Sequence, residues 1–140
     1  MHCVAPSLAV HDIEATVAFY RDTLGFAEGL RIPERDGGTR YATVWNGEAT
    51  LMFNRIDHVP PEKRSALGTG VALYIDLGDT IVDEYYRTLT ARGVQIIHPL
   101  ADEYWGARDF TIADPNGYHI TFAQQMAHLT PEQMVQNLQR

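Results

Sequence analysis

The side chains of this 140-residue chain that could act on a substrate or grip a metal ion are six histidines, eighteen acidic residues and one cysteine. The histidines are His2, His11, His58, His98, His119 and His128, and no pair has the spacing of a known metal motif. His119 is the best placed of them, on a strand face it would share with Thr121. His11 falls at a strand-to-helix turn, His58 in a linker and His98 near a strand end, where a solvated or hydrogen-bonded imidazole is the simplest role. His2 and His128 suggest no function. Cys3 has only His2 beside it, close to a terminus, and no G-x-S-x-G elbow occurs, so no nucleophilic triad is in view. Gly37-Gly38 runs into a predicted strand, whereas a phosphate cradle opens a helix.

Binding chemistry is better supplied than nucleophilic chemistry. Strand alternation groups Tyr74 and Asp76 with Gly70 and Ala72, on the face opposite a core-facing Val71, Leu73 and Ile75. Asp109 alternates with Phe110, and with Asp76 it would attract a cation or sit solvated at a strand end. Thr121 alternates with Ile120 and Phe122, which read as core. Trp105 and Tyr104 stand side by side in a loop, where flat rings can wall a groove or cover a sheet rim. Arg108 is suited to an anionic group or to a neighbouring carboxylate at the surface. Tyr41 and Trp45 share one face of their strand, with its direction open, while Phe53, Tyr85 and Tyr86 read as packing residues.

The elements that must position these groups come twice. Ser7 to Val10 reads as a strand, Asp12 as an N-cap, and Ile13, Val17, Tyr20 and Leu24 as one helix face stopped by Gly25. Strands follow at Phe26–Ile32, Thr39–Trp45 and Ala49–Asn54, the last two joined through Asn46-Gly47, a type I′ signal. The second half opens with a strand at Val71–Leu77 and a helix capped by Asp79 or Thr80, with Ile81, Tyr85 and Leu89 on one face and Gly93 as the stop. Strands at Val94–His98, Ala107–Ala113 and Tyr118–Ala123 complete it, with Pro99–Gly106 a loop and Asp114-Pro-Asn-Gly117 a type I turn. Phe19-Tyr20-Arg21 answers to Tyr85-Tyr86-Arg87, and Asn46-Gly47 to Asn116-Gly117, as in an internal repeat. The expected organisation is a single α+β domain over residues 1–125, with β-α-β-β-β modules at 4–56 and 70–125 and a linker at 57–69. Residues 126–140 form a tail with a helix over 130–139 that carries Pro131 at its first position.

Bulk properties narrow the partners. Forty-five per cent of residues are apolar and 21% charged, ordinary for a globular protein. The net charge of −7 and only 11 Lys plus Arg give no clustered cations for nucleic acid or an anionic membrane. No run approaches the ~20 apolar residues of a membrane span, and the start MHCVAPSLAV lacks a basic n-region. One cysteine excludes an internal disulfide, so a reducing, cytoplasmic setting is expected.

Two segments carry a family resemblance. Pro6–Phe26, with its strand, Asp cap and FYRDTLGF helix end, resembles the opening of vicinal-oxygen-chelate proteins, the glyoxalase, bleomycin-resistance and extradiol dioxygenase group. Trp105–Phe122, with WG, Arg108 and DPNG, is similar to that superfamily's closing hairpin. The resemblance covers about residues 4–125 and implies two βαβββ modules whose strands curl into an open, cup-like mixed sheet. It also implies metal-ligand positions on the first and last strands of each module: Ala5, Gly70, Thr121 and one of Leu51, Met52 or Phe53. Such a set offers no adequate donors for a divalent ion.

The layout is closest to bleomycin-resistance proteins, which implies a cofactor-free homodimer that sequesters a small organic molecule, planar or cationic, as in antibiotic resistance. Trp105 matches a groove-lining position, and Tyr74, Tyr104, Asp76, Asp109, His119, Thr121 and Arg108 complete the expected ligand-binding set, with no metal ligand and no assigned catalytic residue. The competing expectation is a metal-dependent lyase, isomerase or dioxygenase resembling glyoxalase I, which needs either a different register of the ligand positions or an unusual site formed by His119 and acidic neighbours. A metal-free enzyme with His119 or Asp109 as general base is a third.

Overall fold

The computed structural model describes residues 1–139. Backbone pairing builds two four-stranded mixed sheets, each open at both edges. The chain divides into two compact units: Met1–Thr69 with Asp114–Gly117, and Gly70–Ala113 with Tyr118 onward.

In the first unit β1 (Ser7–Val10) leads into α1 (Ile13–Ala18), then β2 (Ala27–Pro33), β3 (Thr39–Asn46) and β4 (Ala49–Arg55), in sheet order β1-β4-β3-β2. β1 runs parallel to β4 and the other pairs are antiparallel. The Asp12 carboxylate accepts the Ala15 N–H and starts α1. The helix ends earlier than its periodicity predicts, because Phe19–Thr23 forms a wider π turn closed by the Leu24 N–H on the Phe19 carbonyl. Leu8, Val10, Ala42, Val44, Leu51 and Phe53 alternate to one side of the sheet and are buried with Ile13, Val17, Tyr20 and Leu24. Tyr20 packs at a tilt against Phe53, with ring centroids 5.1 Å apart, and meets Phe26 edge-on at 5.6 Å.

The β3–β4 turn differs from the I′ expectation. Asn46 still pairs with Ala49, so the two-residue loop is Gly47-Glu48, with positive φ (57°) at Gly47 alone. A I′ turn needs positive φ at both central residues, and no non-glycine residue described has it. Residues 57–69, read as a linker, contain the 3-10 turn Pro61–Ala66 and the end of another, Ile56–His58.

The second unit repeats the programme with β5 (Ala72–Asp76), α2 (Val82–Ala91), β6 (Ile96–Asp102), β7 (Ala107–Ala113) and β8 (His119–Gln125), ordered β5-β8-β7-β6. Phe110, Ile112, Ile120 and Phe122 are buried beneath α2, whose Tyr85 and Tyr86 meet Phe122 and Phe110 at 5.0 Å. Three expectations need correction. Val71 is 60% exposed, because pairing begins only at Ala72 with His119. Neither Asp79 nor Thr80 caps α2; the Gln124 side-chain oxygen accepts the Val82 N–H from β8, and Ile81 lies exposed before the helix. β6 runs on through Pro99 to Asp102, where a loop was predicted; an edge strand tolerates proline because its outward N–H has no ladder partner to lose.

At the C-terminal side α3 (Pro131–Leu138) carries a capping box: Thr130 accepts the Gln133 N–H, and the Gln133 side chain accepts the Thr130 N–H. Among the described residues no helix is long and apolar enough to cross a membrane.

Candidate functional site

Each sheet buries one face under its helix and leaves the other without one, and on those helix-free faces the polar and aromatic groups gather. In the second unit the strand register lines up Tyr74, Thr121, Thr111 and His98 across β5, β8, β7 and β6. The next row is Asp76, Ala123, Asp109 and Ala101, and His119 sits between Ala72 and Ala113 on the other side. Five of the residues singled out in the sequence, Tyr74, Asp76, Asp109, His119 and Thr121, therefore share one face. Tyr74 is 56% exposed, His119 and Asp76 are exposed, and Thr121 is half-buried with its hydroxyl 2.7 Å from that of Thr111.

Asp109 is unusual on that face. It is only 6% exposed, and its carboxyl is pushed up to about 6. Burial is the main cause, followed by the hydrogen bond and negative charge of Glu103, while His98 opposes the shift. A carboxyl that titrates about a unit below neutrality can accept a proton and return it in mildly acidic to neutral solution.

Trp105 and Tyr104 belong to the β6–β7 turn, closed by the Gly106 N–H on the Glu103 carbonyl at 3.0 Å. Their rings meet edge-on at 4.9 Å. Gly106 (φ 98°) accepts the N–H groups of Met126 and Ala127, and a Cβ there would lie 2.4 Å from the Ala127 oxygen. That close approach explains why glycine follows the tryptophan. Tyr104 also lines a groove of about 450 Å³ with Asn137 and Leu138 of α3, and the Asn137 amide donates to the Tyr104 carbonyl at 3.1 Å.

Arg108 is not brought together with these groups. It lies on the α2 side of β7, where it donates to Asp102 at 2.6 and 3.2 Å and to Asp83 at 3.2 and 3.3 Å. Hydrogen bonds from Arg108 hold the Asp102 carboxyl below its ordinary range.

The helix-free face of the first unit carries Tyr41, Thr43 and Trp45 beside Asn54, Met52 and Thr50. Burial settles two open points of the sequence reading: Leu51 and Phe53 point into the core, so Met52 occupies the family's ligand position, and Tyr41 and Trp45 stand on the helix-free side. At one end of this face Ile32, Tyr41, Asn54, Arg40, Arg55 and His58 line a cleft of about 540 Å³. No local pattern in the sequence announces this cleft, because it depends on a β-bulge and on the turn after β4. Thr111 and Glu103 were also missed, although pairing β7 with β8 through the DPNG turn would have placed Thr111 opposite Thr121.

The metal-ligand positions implied by the resemblance hold Ala5 and Met52 in the first unit and Gly70 and Thr121 in the second. Two lack any side-chain donor, one offers a soft thioether and one a hydroxyl already bonded to Thr111, so the residues do not fit a divalent ion. Among the described residues no three His, Cys, Asp or Glu side chains gather where they could hold a metal.

Residues 1–122 match the sequence model of the Glyoxalase/Bleomycin resistance protein/Dioxygenase superfamily. The bleomycin resistance protein of Geobacillus stearothermophilus is 29% identical over 133 residues, covering 86% of this chain and 95% of its own. The solved structure of TnmS3, an antibiotic binding protein from Streptomyces sp. CB03234, matches with a TM-score of 0.66 at 26% identity, over 89% of this chain and 96% of that one. The bleomycin-binding protein of Streptomyces verticillus, solved with copper(II)-bleomycin, matches with a TM-score of 0.64 at 24% identity, over 87% and 94% of the two chains, a likeness of fold.

Proposed function

The chain belongs to the Glyoxalase/Bleomycin resistance protein/Dioxygenase superfamily, and from that membership we propose that it is a metal-free binding protein that sequesters a small organic molecule. The observation that carries this reading is the helix-free face of the second sheet, where Tyr74, Asp76, His119 and Thr121 offer a ring, a charge and hydrogen-bonding groups. The face suits a planar ligand with a cationic group: the ring of Tyr74 takes the flat surface and Asp76 the charge. The poor donors at Ala5, Met52, Gly70 and Thr121 support binding without a metal and weigh against a glyoxalase I-like lyase, isomerase or dioxygenase. The bleomycin resistance and antibiotic binding relatives support a protective role in antibiotic resistance. A cytoplasmic homodimer completes the proposal.

The test combines elemental analysis of protein purified without chelator with a fluorescence titration of planar cationic dyes. Metal well below one equivalent, with a dye whose affinity falls in Tyr74→Ala and Asp76→Asn while the melting temperature holds, is the expected result. One bound equivalent of a transition metal that chelation removes together with several degrees of melting temperature would overturn the metal-free reading.

Asp109 favours a second reading, acid–base catalysis without metal, because its carboxyl is buried and titrates near neutral pH. Recovery of the bound ligand chemically unchanged after long incubation, read by mass spectrometry, would sink that reading and leave the first intact.

A further inference from the structure

The cleft on the first sheet has a lining unlike that of the second sheet's face. Two guanidinium groups and an imidazole, Arg40, Arg55 and His58, stand around Tyr41, Asn54 and Ile32. Its volume, about 540 Å³, is within the range of small-ligand sites. Glu34 and Asp57 complete the lining, so the two guanidinium groups are matched by two carboxylates.

The strand register explains how Arg40 comes to line the same cleft as its neighbour Tyr41. Ile32 pairs with Tyr41 and Pro33 with Thr39, so Arg40 is the extra residue of a bulge, a device that re-aims a side chain. The two arginines are held differently. Arg55 is fixed, with its Nε 2.7 Å from Asp57 and a terminal nitrogen 3.5 Å from Glu34. Arg40 is 68% exposed and makes only a looser ion pair, its terminal nitrogen 3.6 Å from the Glu34 oxygen that also meets Arg55. With Glu34 near one terminal nitrogen only, the planar fork has donors left for a ligand carboxylate, which binds in competition with Glu34. Tyr41 and Ile32 supply a flat apolar wall, and Asn54, whose amide nitrogen donates to Ser7 at 2.5 Å, keeps its carbonyl oxygen as an acceptor.

We propose that this cleft binds an aromatic carboxylate, with the ring against Tyr41 and Ile32 and the carboxylate on Arg40. The Glu34 and Asp57 carboxylates hold Arg55 in place and balance the cleft's charge, so the cleft selects by the geometry of the fork more than by long-range attraction. The site uses only residues of the first unit, and it stands or falls independently of the ligand proposed for the second sheet's face.

The test uses 2-naphthoate as the probe and its neutral analogue 2-naphthamide as the control, followed by amide chemical shifts of the labelled full-length chain. The expected result is a set of shifts at Ile32, Tyr41, Asn54 and His58, naphthoate affinity at least tenfold above naphthamide, and a roughly tenfold loss in Arg40→Gln. Because Arg40 is exposed, that variant is expected to fold normally; Arg40→Lys, which keeps the charge without the fork, should fall between the two. Equal affinity for the two probes, an unchanged affinity in Arg40→Gln, or no shifts in the cleft would each overturn the proposal. Shifts confined to Tyr74, Asp109 and Thr121 would overturn it while supporting the face on the second sheet.

Discussion

Asp109 and Asp114 lie five positions apart, one on β7 and one just beyond it, and both are buried, at 6% and 4% exposure. Their surroundings differ completely. Asp114 opens the DPNG turn and accepts the Tyr20 hydroxyl at 3.0 Å and the Asn116 N–H at 2.9 Å. Asn116 in turn accepts the His11 N–H at 2.9 Å and donates to Thr16 at 3.1 Å, so the turn is tied to the start and middle of the first helix. Asp109 faces another carboxyl, Glu103, on a sheet face that no helix covers. A buried acid surrounded by donors holds a fold together, whereas a buried acid facing a second acid is a weakness that only a site can make use of. Burial by itself does not distinguish the two; the partners do.

The largest effect should come from breaking the satisfied member. Asp114→Ala removes the acceptor of a buried hydroxyl and the anchor of the turn, and should cost about 3 kcal/mol or more by urea unfolding. A loss under about 1 kcal/mol would mean that the turn network is ornamental. Asn116→Ala, which cuts the ties to His11 and Thr16 while sparing the Tyr20–Asp114 bond, should cost about 2 kcal/mol in the same assay.

Asp109→Asn should move stability the other way. A carboxyl whose folded-state pKa lies above its unfolded value binds its proton more tightly when folded, so its contribution is lost as pH rises from about 4 through about 6. Asp109→Asn should therefore gain about 1–2 kcal/mol at pH 7.5 and nothing near pH 4. An equal effect at both pH values would refute the raised pKa of Asp109. The smallest effect belongs to the turn that answers to DPNG in the repeat: Asn46 is exposed and its side chain makes one long bond, 3.3 Å, to the Gly25 carbonyl. Asn46→Ala should change stability by less than about 0.5 kcal/mol.

That contrast explains what could be read from the sequence. Period and punctuation are local signals, so β1, the Asp12 cap, the β7 strand and the Pro131 helix start stand where the residues put them. The shared face of Tyr74, Asp76, Asp109, His119 and Thr121 was legible for the same reason, since alternation has a period of two. What escaped depends on partners distant in the chain. Gln124 caps α2 from 42 residues away, and the bulge at Arg40 is set by the pairing of β2 with β3. Asn46-Gly47 and Asn116-Gly117 look alike as dipeptides, yet one is a plain hairpin tip and the other a polar tie; the difference lies in what packs against them.

Pro99 in β6 carries a consequence for association. The rim of the second sheet that ends in β6 has a proline where an incoming strand would seek an N–H, so it is a poor template for adding strands from another molecule. Sheet growth of the kind that seeds fibrils is blunted at that rim, while the opposite rim, β5, has no proline to do the same.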